Sequence, residues 1–139
     1  MKKLFLTAVC MAVAVAASTD EIIRFEEKRQ GEKLLVTATM YYPTVGQCDS
    51  TPYLTAGMYR VSRKNASKQM WIAMSRDMLK RWGGDFDYGD RVVITGTDGK
   101  DGEYTVVDTM NKRYKRRIDF LETPGTKPYK FNNVQITKS

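Results

Sequence analysis

The amino-acid sequence predicts a mainly β fold, a small closed barrel with one short helix. Two observations carry this prediction: six or seven short apolar stretches have the character of strands, and turn residues separate nearly all of them. Short strands joined by frequent turns are typical of small barrels, in which the closed sheet leaves no edge strand exposed.

The first 33 residues are interpreted as a leader followed by a short extension. Lys2 and Lys3 precede an apolar run that ends in small residues near Ala17, which is the pattern of a secretory signal peptide over residues 1–18. The run is shorter than the roughly 20 residues that a membrane-spanning helix needs, so we expect no stable membrane span in the mature protein. We expect residues 19–33 to form an N-terminal extension, residues 34–139 to form the barrel, and the protein to reach the periplasm or the outside of the cell.

The predicted strands follow one another through the barrel domain. They are residues 34–42, 54–61, 71–74, 91–95, 103–107, 117–121 and 133–137. The Asp-Gly pairs at 98–99 and 101–102 favour tight turns, so the fourth and fifth strands are predicted to form a hairpin. Gly57 interrupts the second strand, which is typical of a bulge or a close backbone approach, and the polar residues 62–69 predict a surface loop.

The short helix is predicted directly after the strand 71–74. Ser75 is a favourable N-cap, and Asp77 falls in the first turn, where a negative charge is stabilised by the helix dipole. Trp82 belongs to the apolar face of this helix, and Gly83 and Gly84 offer the left-handed conformation that ends it.

Two acids at strand ends are the main chemical signal of the sequence. Asp108 and Asp119 each follow an apolar stretch, where aspartate is disfavoured and where burial penalises its ionised form unless it is hydrogen-bonded or paired. The chain contains no histidine, which excludes a Ser-His-Asp triad and a histidine-bound zinc site. The sequence therefore predicts a carboxylate site that uses neither a metal nor a cofactor.

The aspartates and several short segments resemble a known family. The matching segments are Thr37–Tyr42, Thr55–Gly57, Ile72–Asp77 and Arg117–Phe120. In type and order they resemble the 3D (three-aspartate) domain, whose aspartates correspond to Asp77, Asp108 and Asp119. The resemblance implies a six-stranded double-psi β-barrel, similar to the lytic transglycosylase A and rare lipoprotein A barrels. The chain departs from the family after Asp108, where residues 109–113 replace a glycine pair and a short apolar stretch.

The resemblance also implies an activity. In the lytic transglycosylases the position of Asp119 is the general acid and then the base, and Asp108 is the supporting acid. The enzyme protonates the glycosidic oxygen between N-acetylmuramic acid and N-acetylglucosamine, and the muramic 6-hydroxyl attacks to give a 1,6-anhydro product. The alternative for Asp119 is a structural carboxylate that ties down loop amides or pairs with Arg116 or Arg117.

Five further residues are candidates for substrate binding: Asp77, Tyr41, Thr55, Arg116 and Arg117. Asp77 also has a structural explanation as an acid of a helix first turn, and Tyr41 can either stack on a sugar or fill the core. The basic run at residues 112–117 can bind carboxylates of the peptide stems of peptidoglycan, or it can be a solvated loop.

Charge and size leave two functional hypotheses. The net charge is +7 for the whole chain and, with 21 basic and 16 acidic residues left after the leader, +5 for the mature protein, which suits an anionic envelope polymer. The first hypothesis is a monomeric, exported, lytic transglycosylase-like enzyme that acts on peptidoglycan. The second is a non-catalytic barrel that binds peptidoglycan, another polysaccharide or an envelope protein. Nucleic acid is not an expected partner, because an exported chain rarely meets it.

Overall fold

The computed structural model describes residues 19–21, 33–43 and 53–139. The chain divides into two compact units, residues 1–32 and Lys33–Ser139. In the first unit, residues 19–21 are α-helical. The predicted signal peptide and most of the predicted extension lie outside the described residues. No helix within the described ranges combines the length and the apolar character needed to cross a membrane.

Six strands form the second unit in the part of the chain that the structure describes. They are β1 (Leu34–Tyr41), β2 (Trp71–Met74), β3 (Arg91–Thr95), β4 (Gly102–Thr109), β5 (Arg117–Leu121) and β6 (Phe131–Lys138). The strands close into a barrel in the order β1-β5-β2-β4-β3-β6. Strand β5 runs parallel to β1, strand β4 runs parallel to β2, and the other neighbours are antiparallel. The predicted mainly β, six-stranded closed barrel is thus confirmed, and its mixed strand order is compatible with a double-psi arrangement.

The barrel interior follows from the alternation of side chains along each strand. Buried residues recur at every second position, as in Ile118 and Phe120 of β5 or Val134 and Ile136 of β6. Phe120 is 1% exposed and lies edge-on to the ring of Tyr104, with 4.9 Å between the ring centroids. Side chains of the intervening positions, such as Asp119, therefore lie on the outer face of the barrel.

A second, smaller apolar cluster covers part of that outer face. It contains Tyr41, Val61, Ala66, Ala73, Met110 and Leu121. These residues come from three strands, from the connection before β2 and from the loop after β4, so they attach the loops to the outside of the sheet. A short helix, α1 (Ala66–Gln69), contributes Ala66 to this cluster.

Three local predictions are corrected by the structure. The predicted helix after Ser75 consists of two 3-10 turns, Arg76–Met78 and Lys80–Trp82, and the described α-helix of this unit is α1, in a segment that was predicted to be a loop. Ser75 does not cap a helix because its hydroxyl accepts a hydrogen bond from the Arg117 amide at 3.0 Å.

The predicted strand 54–61 is also wrong. This segment makes one isolated bridge between Leu54 and Arg60 and turns tightly between them, with the left-handed φ of 67° at Met58. The Gly57 amide donates to the carbonyl of Val107 at 2.9 Å, which confirms the close backbone approach expected at this glycine. The segment is therefore a loop fastened to β4.

Candidate carboxylate site

A row of four residues in register crosses the outer face of the barrel. Thr39 of β1 is paired with Asp119 of β5, Asp119 with Ala73 of β2, and Ala73 with Asp108 of β4. Paired residues of neighbouring strands point to the same face, and strands lie roughly 4.8 Å apart, so the Cα atoms of the two aspartates are about 10 Å apart. Only the methyl group of Ala73 stands between the two acids in this row.

A bulge in β4 places Asp108 on the outer face. The pairing with β2 shifts by one residue, from Ile72 with Val106 to Ala73 with Asp108, so Val107 is the extra residue. Without this bulge, Asp108 would follow Tyr104 and Val106 into the barrel interior. Bulges are known to re-aim side chains next to functional sites, and here the bulge brings Asp108 into line with Asp119.

Asp119 lies in a partly buried position of the row. The Thr39 hydroxyl donates a hydrogen bond to its carboxylate. Burial raises the pKa of Asp119 above the ordinary value for aspartate, the charge of Asp108 adds to the effect, and the Thr39 hydrogen bond and the charge of Arg117 oppose it. An acid whose protonated form is favoured in this way can act as a proton donor.

Asp108 has a different environment, rich in hydrogen-bond donors. Its Oδ1 atom accepts from the amides of Ala56 and Thr109, both at 2.9 Å. Its Oδ2 atom accepts from the Tyr41 hydroxyl at 3.2 Å. Donors of this kind stabilise the ionised form of a carboxylate, whereas burial favours the protonated form of Asp119.

The structure places Asp77 away from the row, in the 3-10 turn after β2. Its Oδ2 atom accepts a hydrogen bond from the Arg116 amide at 3.0 Å, and Arg116 has a left-handed φ of 44°. Asp77 therefore holds the backbone at the start of β5, which is a supporting position for the strand that carries Asp119.

Tyr41 and Thr55 reach the site indirectly. Tyr41 is 9% exposed and packs in the outer cluster, with its hydroxyl on Asp108. Thr55 is buried, and its hydroxyl accepts from the Tyr59 amide at 3.0 Å, which shapes the loop that offers Ala56 to Asp108. Both residues hold Asp108 in place, and their use as substrate ligands stays a prediction.

The two candidate arginines lie at the N-terminal end of β5. Arg116 is exposed, whereas Arg117 is partly buried with its guanidinium 4.8 Å above the centre of the Tyr114 ring. The charge of Arg117 reaches Asp119, as its effect on the pKa of that residue shows, but the pair does not form a salt bridge. Direct pairing of Asp119 with an arginine, one of the structural alternatives, is therefore not what the geometry provides.

Three contributors to the site escaped the sequence reasoning. Thr39 meets Asp119 across 80 positions of the chain, and Ala56 meets Asp108 across 52, so no local pattern announces either contact. Ala73 matters because it is small, and its position between the acids depends on the strand order. Only the register of the strands makes these roles visible.

The described residues form no conventional metal site. The sequence contains no histidine. Across residues 19–21, 33–43 and 53–139, no group of three acidic or cysteine side chains is arranged to hold a metal ion. Carboxylate chemistry at Asp119 and Asp108 is what the described side chains offer.

No protein-family model matches the chain, and neither the curated proteins nor the solved structures contain a significant match to it. The row of Asp119, Ala73 and Asp108 combines an acid of raised pKa with a second acid held by amide donors. This arrangement can donate a proton at one carboxylate and stabilise positive charge at the other.

Proposed function

We propose that the protein is an exported, cell-wall-directed barrel of the three-aspartate, double-psi type that cleaves peptidoglycan glycan strands in the manner of a lytic transglycosylase. The observation that supports this most is the register row, which holds Asp119 and Asp108 on one face with a small residue between them. The sequence resemblance assigns the same two residues to catalysis.

The proposed reaction runs through one carboxyl group. Protonated Asp119 gives its proton to the glycosidic oxygen, and the bond from that oxygen to the anomeric carbon of N-acetylmuramic acid breaks. The ionised Asp119 then takes the proton of the muramic 6-hydroxyl, whose oxygen bonds to the same anomeric carbon. The product is a 1,6-anhydro sugar, no water is consumed, and Asp119 ends in its protonated form.

Asp108 has an electrostatic role in this scheme. The positive charge that develops at the anomeric carbon is stabilised by a nearby carboxylate, and the ionised Asp108 also raises the pKa of Asp119. The amides of Ala56 and Thr109 fix its orientation. The unusual loop after Asp108 is compatible with this role, because the Met110 amide donates to the Met74 carbonyl at 3.0 Å and fastens the loop to β2.

A second candidate is a barrel that binds wall polymer or an envelope protein without cleaving it. The observation in its favour is the hydrogen bond from Thr39 to Asp119, which satisfies one oxygen of the acid without any substrate. In this case Asp119 and Asp108 would position a groove, and the cationic side chains near β5 would supply the attraction.

Digestion of purified peptidoglycan sacculi separates the two candidates. The purified protein, Asp119→Asn and Asp98→Asn are each incubated with sacculi, and soluble products are identified by mass spectrometry. Asp98 is an exposed acid of the β3–β4 turn, so its variant controls for the loss of one charge. Anhydro-muropeptides from the wild type and Asp98→Asn, but not from Asp119→Asn, are expected. Binding to sacculi without any release would instead favour the non-catalytic barrel.

A further inference from the structure

Hydrogen-bonding atoms without partners collect at one end of the barrel. Five buried side-chain atoms of the described residues lack a partner: Arg76 Nε, Asp77 Oδ1, Tyr88 Oη, Thr109 Oγ1 and Arg117 Nε. Four of them lie in the turn after β2, at the end of β4 and at the start of β5, which are neighbours in the barrel. Buried polar groups are nearly always paired in folded proteins, so this concentration marks an end of the barrel where the fold leaves polar groups unsatisfied.

Tyr88 belongs to the same place through its neighbours. Burial raises the pKa of Tyr88, and the nearby Thr109, Asp108 and Arg81 each modify it. Thr109 and Arg81 lie close enough to the Tyr88 hydroxyl to lower its pKa as hydrogen-bonding neighbours, although the Tyr88 and Thr109 hydroxyls do not reach full hydrogen-bond geometry. The unsatisfied hydroxyls therefore border the end of the register row at Asp108.

Two stacks of arginine on an aromatic ring stand at this end. The guanidinium carbons of Arg76 and Arg81 lie 5.0 Å and 5.3 Å from the ring centre of Trp82, which is 43% exposed. The guanidinium carbons of Arg113 and Arg117 lie 4.7 Å and 4.8 Å from the ring centre of Tyr114. Stacking on a ring orients a planar guanidinium. Arg113 Nη2 also donates to the Tyr114 hydroxyl at 2.6 Å, and its other N–H groups can meet a planar anion.

These arginines have no carboxylate partner in the described part of the chain. The ion pairs found there are Arg91–Glu103, Lys100–Glu122 and Lys138–Asp90. Arg116, which lies in the same segment as the second stack and bonds through its amide to Asp77, is not in an ion pair either. These five guanidinium groups outnumber the neighbouring acids Asp77, Asp108 and Asp119, so this end carries a net positive potential that attracts anionic ligands.

Backbone contacts join the two stacks into one surface. Arg117 donates its amide to the Ser75 hydroxyl at 3.0 Å, and the Ser75 amide donates to the Arg117 carbonyl at 2.9 Å. The Arg116 amide donates to Asp77 at 3.0 Å. These contacts hold the segment with Trp82 against the segment with Tyr114. Arg117, which makes two of them, precedes Asp119 by two positions.

We propose that this end of the barrel is a carboxylate-binding subsite that holds the peptide stem of peptidoglycan beside the register row. The stacked guanidinium groups match a planar carboxylate with paired N–H donors. A stem attached to the muramic acid would set the register of the glycan over Asp119. The identity of the ligand rests on the proposed function, whereas the preference for carboxylates rests on the surface itself.

Sedimentation with sacculi tests the subsite separately from cleavage. All proteins carry Asp119→Asn, so binding is measured without digestion. The test variant adds Arg81→Gln and Arg113→Gln, which are exposed members of the two stacks. The matched control adds Arg63→Gln and Arg91→Gln, which remove the same charge from exposed positions outside the stacks. Thermal unfolding checks that each variant is folded.

Binding to intact sacculi is expected to weaken about tenfold or more in the test variant, as expected for the loss of charge-assisted hydrogen bonds, and to stay near the parent value in the control. Sacculi whose carboxylates have been converted to amides should bind the parent as weakly as intact sacculi bind the test variant. Equal losses in test and control, or unchanged binding after amidation, would overturn the carboxylate subsite in favour of diffuse charge attraction or a phosphate-bearing polymer.

The remaining outcomes separate this inference from the proposed function. Arginine-dependent binding together with no anhydro products from the wild type would leave the subsite standing and remove the enzymatic assignment. Anhydro products from the wild type together with arginine-independent binding would support the enzymatic assignment and overturn the subsite. Absence of parent binding to intact sacculi would overturn the subsite.

Discussion

Glu122 is expected to be one of the strongest single contributors to the stability of the barrel. It follows β5 and is 3% exposed. Its carboxylate accepts from Lys100 at 2.8 Å, from the Tyr129 hydroxyl at 2.6 Å and from the Ser67 hydroxyl at 2.5 Å. The contacts connect the β3–β4 turn, helix α1 and the loop before β6 at a single buried acid.

Replacing Glu122 by glutamine keeps the shape and removes the charge. A hydrogen bond to a charged group contributes about 1.5–3 kcal/mol and a neutral one about 0.5–1.5 kcal/mol, so each of the three contacts loses roughly 1 kcal/mol. We expect the free energy of unfolding to fall by about 3 kcal/mol. The matched control is Glu103→Gln, because Glu103 forms an exposed ion pair with Arg91 and such pairs contribute about 0–1 kcal/mol.

Urea unfolding, followed by tryptophan fluorescence, measures both variants. The hydrogen bonds from Lys100, Ser67 and Tyr129 together hold the pKa of Glu122 below its usual range against the opposing effect of burial. A lowered pKa in the folded state means that the stabilisation is present above the unfolded pKa and is lost as the pH falls through the folded pKa. The gap between wild type and Glu122→Gln should therefore shrink in acid. A loss no larger than that of Glu103→Gln at pH 7 would refute the reasoning.

Three other substitutions test the register row. Burial raises the pKa of Asp119, so its charge destabilises the fold at neutral pH; Asp119→Asn should raise the melting temperature at pH 7, with a gap that closes as the pH falls. Tyr41→Phe removes the hydroxyl from Asp108 and should lower the free energy of unfolding by about 1 kcal/mol in urea titrations. Gly57→Ala would place a Cβ atom 2.7 Å from the Val107 carbonyl oxygen, so the loop must move and anhydro-product release should fall, whereas Asp98→Asn should keep the release of the wild type.

Much of the barrel could be predicted because strand alternation is a local signal. The hairpin of β3 and β4 follows from apolar periodicity and Asp-Gly pairs, and β5 follows from Ile118 and Phe120 on either side of a polar residue. The helix after Ser75 could not be predicted correctly, because the groups that would cap it are taken by distant partners. The Ser75 hydroxyl accepts from the Arg117 amide and Asp77 accepts from the Arg116 amide, both at the start of the neighbouring strand β5.

The candidate site was only half accessible to sequence reasoning. Asp108 and Asp119 stand out as acids after apolar runs, which is a property of their own neighbourhoods. Their alignment through Ala73 depends on a strand order in which β2 lies between β4 and β5, and on the one-residue bulge at Val107. Such features arise from non-local pairing, and a single sequence does not display them.

The two ends of β5 differ in whether their buried polar groups have hydrogen-bond partners. This contrast supports a functional role for the N-terminal end. Directly after its C-terminal end lies Glu122, whose two carboxylate oxygens both accept hydrogen bonds. The buried charge of this acid is therefore fully paired. Near its N-terminal end, Arg117 Nε and Asp77 Oδ1 are buried without a hydrogen-bond partner, in contrast to the fully paired carboxylate of Glu122. Violations of hydrogen-bond pairing persist where function requires them and where stability elsewhere tolerates them. The end that carries the arginine stacks and borders Asp119 is therefore the surface on which we expect the ligand.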